Sequence, residues 1–104
     1  MAKIIVNWSE RATDELYETL DYYTARNKSK VYSTKLHKEI QTVLKSLDFS
    51  IALPQRTTKP NIFYFTHKHI SVFFSFLDNT IFVKSLSDDR RNPVTIEMVL
   101  KNID

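Results

Sequence analysis

The 104-residue chain contains neither cysteine nor glycine, and only three prolines. The lack of cysteine removes disulfides, thiolate nucleophiles and thiolate metal sites together, and fits a reducing cytoplasm. The lack of glycine excludes the phosphate loops that need a backbone without Cβ, so neither a Walker loop nor a dinucleotide-binding fingerprint exists here. Every tight turn must be made by Asn, Asp, Lys, His or Pro. Long apolar runs are missing too. The stretch from Met1 to Asn7 is too short for a signal segment or a membrane span, so a cytoplasmic protein is expected.

What is present describes a folded domain. Hydrophobic residues make up 42% of the chain, enough for a core, and the length favours a single domain over residues 1–104. The net charge of +3 is mild, but its distribution is uneven. Glu10, Asp14, Glu15, Glu18 and Asp21 face one base, Arg11, in the first third. Lys28, Lys30, Lys35, Lys38 and Lys45 follow, against one acid, Glu39. Two solvated helix faces that pair with each other account for this pattern.

Periodicity divides the chain into elements. Ile4, Val6 and Trp8 alternate with polar positions, which predicts a half-buried strand over Lys3 to Trp8. Ser9 is a suitable cap for a helix carrying Ala12, Leu16, Leu20 and Tyr23 to about Ala25. Asn27 or Ser29 caps a second helix, with Tyr32, Leu36, Ile40, Val43, Leu44 and Leu47 on one face. So short a link predicts an antiparallel helical hairpin. Asp48 to Asn61 has no clean period and reads as a surface connection with at most one helical turn.

Three strands follow. They cover Ile62 to Thr66, Ile70 to Leu77 and Thr80 to Ser87. His67-Lys68-His69 and Asp78-Asn79 are the turns between them. In the last strand Ile81 and Val83 should share one face, and Phe82, Lys84 and Leu86 the other. Asn92-Pro93 has the form of a helix start, and Ile96, Val99, Leu100 and Ile103 form an apolar stripe after it. The order implies an α+β domain, an antiparallel meander packed on a helical hairpin, with one sheet face left for water, a partner or a substrate.

Three stretches carry a resemblance to the RelE/ParE toxins of type II toxin–antitoxin systems. They are Trp8-Ser9-Glu10-Arg11-Ala12 with Leu16 and Leu20, Arg26-Asn27-Lys28-Ser29 with Tyr32, Lys35 and Leu36, and Ile70 to Phe76 followed by Ile81 to Ser85 and Asp89-Arg90-Arg91-Asn92-Pro93. The last is the most specific. The resemblance implies a β-α-α-β-β-β(-α) fold and a growth-inhibiting toxin held inactive by a cognate antitoxin. RelE-like members cut mRNA on the ribosome, and ParE-like members poison DNA gyrase. Fold alone does not choose between them.

On the ribonuclease reading, Arg90, Arg91 and Lys84 are the catalytic candidates, because cations stabilise the charge that builds on a phosphorane-like transition state. Arg56, Lys59, His67, Lys68 and His69 are the candidates for RNA contact. The plain alternatives are that Arg90 pairs with Asp88 or Asp89, that Lys84 snorkels at the sheet margin, and that the two histidines are exposed loop residues. Ile96, Val99, Leu100 and Ile103 are the candidate antitoxin contacts, suited to a disordered tail that folds on binding. No cofactor or metal is expected. The tyrosine or histidine usual after the last strand of RelE-like ribonucleases is missing from Val94 to Asp104. That departure motivates the alternative of a non-enzymatic, ParE-like toxin; a non-toxic α+β binding module is a further, plainer alternative.

Overall fold

The computed structural model describes residues 4–46, 54–91 and 95–103. The elements are β1 (Ile5–Trp8), α1 (Glu10–Asn27), α2 (Val31–Ser46), β2 (Gln55–Arg56), β3 (Phe63–His67), β4 (Ile70–Leu77), β5 (Thr80–Asp88) and α3 (Ile96–Leu100). This is the expected α+β order with one strand added.

Local chemistry explains the boundaries. Ser9 Oγ accepts the Ala12 N–H at 3.0 Å and so starts α1. The helix runs two residues past Ala25 and ends at Lys28, whose φ of 52° turns the chain left-handed. Ser29 Oγ then accepts the Val31 N–H at the head of α2. Lys28, Asn61, Lys68, Asp78 and Asn79 are the positive-φ positions among the described residues. A side chain there costs roughly 1–2 kcal/mol, least for Asn and Asp. The Asp78-Asn79 pair supplies the two left-handed residues that a tight hairpin turn requires.

The sheet order is β1-β5-β4-β3-β2. β3, β4 and β5 form the expected antiparallel meander. β1 lies parallel to β5, because the helical hairpin carries the chain across the sheet before it returns. β2 corrects the reading of an irregular connection with a helical turn. Gln55 and Arg56 pair with Tyr64 and Phe63. Residues 47–53, including Leu47, lie outside the described residues.

One expected face assignment is overturned. Phe74 pairs with Val83 and Phe73 with Ser85, so Lys84 is the extra residue of a β-bulge. The bulge reverses the side-chain alternation beyond it. Leu86 therefore joins Ile81 and Val83 in the core instead of lying with Phe82 and Lys84.

Two cores result. The larger joins Leu16, Leu20, Leu36, Ile40 and Val43 of the helices to Phe65, Val72, Phe74, Ile81, Val83 and Leu86 of the sheet. The smaller lies on the opposite sheet face, where Val99, Leu100 and Ile103 cover Ile62 and Phe73. Thr95 caps α3 by accepting the Met98 N–H at 3.2 Å. The expected start at Asn92-Pro93 lies outside the described residues.

The charged helix faces do not pair with each other as expected. Among the described residues, Glu15 meets Arg11 of its own helix, Glu18 meets Arg91, and Glu39 meets His67 and Lys68. The α2 lysines are left without an acidic partner from α1.

Candidate functional site

β1 leaves the sheet at Trp8, so among the described residues the edge of β5 beyond Val83 has no strand beside it. Helix α1 supplies the missing partners. The Ser9 hydroxyl donates to the Lys84 carbonyl at 3.2 Å. One Glu15 carboxylate oxygen accepts both the Ser85 hydroxyl at 2.9 Å and the Leu86 N–H at 3.1 Å. Arg11 reaches the Asn102 carbonyl at 2.7 Å and so ties the segment after α3 to the same helix. Between these elements lies a cleft of about 270 Å³, lined in part by Arg11, Glu15, Glu18, Ser87, Arg91 and Met98.

The end of β5 is built around Asp88. This residue is 4% exposed, and its Oδ1 accepts the N–H groups of Arg90 at 3.0 Å and Arg91 at 3.4 Å. The carboxylate thus folds the chain into a turn after the strand. His69 Nε2 stands 3.8 Å from the same oxygen and 3.5 Å from the Tyr32 hydroxyl. The Tyr23 ring packs against both Tyr32 and His69. Burial pushes the Tyr23 hydroxyl up to about 12, helped by the neighbouring Asp88 carboxylate. The two groups are neighbours without a formed hydrogen bond, since among the described residues the Tyr23 hydroxyl and Asp88 Oδ2 both lack a partner. Burial lowers His69 below the ordinary imidazole value, against the opposing pull of Asp88. A Tyr–Tyr–His–Asp cluster, with Tyr23 and Asp88 buried and Tyr32 and His69 half-buried, therefore anchors the segment that carries the two arginines.

The candidate catalytic cations do not come together. Arg91 donates to Glu18 at 3.2 Å, and its guanidinium lies 4.5 Å from the Tyr22 ring centre, both on α1. Lys84 sits at the bulge, its ammonium 5.8 Å from the Phe82 ring centre. Arg90 is exposed, and its side chain has no ion pair among the described residues. The alternative of a side-chain pair between Arg90 and Asp88 is corrected to a backbone bond. Lys84 precedes Asp88 by four residues of extended chain, roughly 13 Å.

The candidate RNA contacts are also dispersed. Arg56 is exposed on β2, whereas Lys59 donates to the Ile103 carbonyl and holds down the chain end. His67 and Lys68 both contact Glu39 of α2 at 3.2 Å. Burial pushes the Glu39 carboxyl up, but these two partners outweigh it and hold it below its ordinary value. The exposed-loop reading of the histidines is corrected, because the His67 and His69 side chains are only 12% and 9% exposed. The hairpin lies against the helices and is tied there by Glu39 and Tyr32.

The candidate antitoxin stripe is turned inward. Val99, Leu100 and Ile103 are buried, and Ile96 packs beside them. A cavity of about 240 Å³ remains next to α3, lined by Tyr64, Thr66, Ser71, Asp89, Thr95 and Ile96 among others. Thr66, Ser71 and Asp89 form a hydrogen-bonded chain with steps of 3.1 Å. Among the described residues no lysine, arginine or histidine lines this cavity. Among the described residues no group of three His, Asp or Glu is arranged to hold a metal, and no helix is long and apolar enough to cross a membrane.

Glu15, Tyr23 and Tyr32 were not singled out as functional by sequence pattern, because each fits a helix stripe or an acidic face. Asp88 carried a usable signal, an Asp at a strand end with two residues folding back on it.

No protein-family model matches the chain, and no curated protein is similar to it. The chain is similar over most of its length to a chain of known structure. That structure is described as the chromosomal ParDE TA system from P. aeruginosa, and aligns with a TM-score of 0.62. The match covers 82% of this chain and 95% of that one at 12% identity. The chain shares the fold of that ParDE chain, with the α+β order expected from the sequence. In this fold the fifth strand is joined to the first helix by the Glu15 contacts described above.

Proposed function

We propose that the chain is the toxin of a toxin–antitoxin module, and that it acts by binding its target instead of cutting RNA. The shared fold with a ParDE chain supports the first part. The dispersal of Lys84, Arg90 and Arg91 supports the second. A ribonuclease needs cations converging on one phosphate, where charge builds in the transition state. Here Lys84 is at the bulge, and the two arginines that line one cleft, Arg11 and Arg91, are each paired with a carboxylate of α1, Glu15 and Glu18. The ParE-like alternative makes DNA gyrase the first target to test.

The antitoxin is the expected partner. Since the α3 stripe is spent on the chain's own sheet, the antitoxin contact moves to the half of that face that α3 does not reach. Ile5 and Leu77 both pair with Thr80 and so lie in one row, and they are 54% and 60% exposed. Phe82 lies in the adjoining row. An apolar strand or helix from a partner would cover this end of the sheet.

Gyrase supercoiling with the purified chain, run beside incubation with translated mRNA on ribosomes, tests the reading. It expects loss of supercoiling and intact RNA. Cleaved RNA with normal supercoiling would replace it with the ribonuclease alternative.

A further inference from the structure

The five lysines from Lys28 to Lys45 were expected to be neutralised by α1, and they are not. Lys35, Lys38 and Lys45 are exposed, and helical geometry puts them within an arc of about 80° over about 15 Å of α2. None has an acidic partner among the described residues. The one acid of the helix, Glu39, is committed to His67 and Lys68. Lys28 and Lys30 extend the positive surface past the helix start. On α1, Glu10, Asp14, Glu18 and Asp21 are exposed, so the two helices present opposite charge.

We propose that the Lys35–Lys38–Lys45 row of α2 is a docking surface for the phosphate backbone of double-stranded DNA. A row of unpaired cations gains by releasing the counterions condensed on a duplex. No exposed aromatic residue lies within α2 to stack on an unpaired base, which is how single strands are usually held. The contact is therefore to backbone, independent of sequence. The choice of DNA rests on the reading that the chain acts on a DNA-handling enzyme. The acidic α1 face orients the molecule with α2 toward the duplex.

The test is fluorescence anisotropy of a labelled duplex of about 20 base pairs, titrated with purified chain from about 50 to about 200 mM salt. Binding should weaken with salt, with a logarithmic slope of about 0.9 for each phosphate neutralised, or roughly 2.7 for three lysines. The variant Lys35→Glu/Lys38→Glu/Lys45→Glu should lose at least about tenfold in affinity and most of that slope. The variant Arg26→Glu/Thr58→Glu/Asn61→Asp/Lys101→Glu, at exposed positions off α2, has the same net charge and should keep both. A Lys→Gln version of the α2 triple, with its fold checked by circular dichroism, guards against a folding defect. Equal affinity of the two charge-matched variants would overturn the proposal. So would no binding at the lowest salt, tighter binding to an RNA duplex, or equal displacement by polyglutamate. Absence of duplex binding by the unsubstituted chain, with its supercoiling inhibition intact, would sink this surface and leave the toxin reading standing. The reverse result would do the opposite.

Discussion

The Glu15 carboxylate of α1 accepts the amide N–H of Leu86, 71 positions further along the chain, at 3.1 Å. The bond fills the edge of β5 that β1 vacates. It also explains why a bulge at Lys84 is tolerated in a strand at the centre of the fold.

Removing that carboxylate should therefore be costly. Glu15→Ala leaves the Ser85 hydroxyl and the Leu86 N–H without their acceptor, and should destabilise the fold by about 1–3 kcal/mol. Glu15→Gln keeps an accepting oxygen and should cost less. Urea unfolding would measure both. An unchanged midpoint for Glu15→Ala would mean that the clasp contributes nothing.

A substitution can also stabilise the chain. Lys28 ends α1 at a φ of 52°, with its N–H bonded back to the Ala25 carbonyl at 3.3 Å. Glycine is the residue that helix ends favour in this conformation. Lys28→Gly should raise stability by about 1 kcal/mol, visible as a higher Tm. A lower Tm would show that the lysine side chain contributes more than its backbone strain costs.

The Tyr–Tyr–His–Asp cluster gives a pH dependence of known sign. Burial holds His69 and His37 below the ordinary value of 6.5. Asp88, Asp89, Arg90 and Lys68 surround His69 and modulate this without reversing it. Above 6.5 the imidazoles are neutral in both states. As the pH falls below 6.5 the unfolded chain takes up protons first, and stability is lost. Tyr23 acts on the alkaline side, with stability lost as pH rises from 10 toward about 12. Unfolding free energy should thus be lower at about pH 5.5 than at about pH 7.5, and His69→Phe should flatten that difference. Equal slopes for the variant and the parent would exclude His69 as the source.

The antitoxin proposal separates two surfaces. Ile5→Asp or Leu77→Asp places a charge on the open half of the sheet and should abolish co-purification with an antitoxin expressed from the adjacent frame, with little change in Tm. Leu100→Ala, on the buried side of α3, should instead cost about 2–5 kcal/mol of stability. If the surface substitutions left co-purification intact, the antitoxin would have to bind elsewhere.

Much of this fold is legible as period and punctuation. Ser9, the Leu16–Leu20 stripe and the Asp78-Asn79 turn locate their elements because each reflects backbone geometry a few residues wide. The bulge at Lys84 is not legible, since one extra residue leaves no mark on the apolar count and only cross-strand pairing with Phe73 and Phe74 reveals it. β2 is missed because two residues give no period. The site suffers most from non-local effects. Arg91 looks like a free cation until Glu18, 73 positions away, is brought beside it. The α3 stripe resembles a partner-binding face until Ile62 and Phe73 fill it.

The central claim is that the chain inhibits by binding and not by cutting. Mapping RNA 5′ ends across the transcriptome after inducing the chain without its antitoxin tests that most directly. Growth should stop with no new ends in translated messages. Accumulation of new ends within reading frames, lost in the Arg90→Ala/Arg91→Ala variant, would contradict the account.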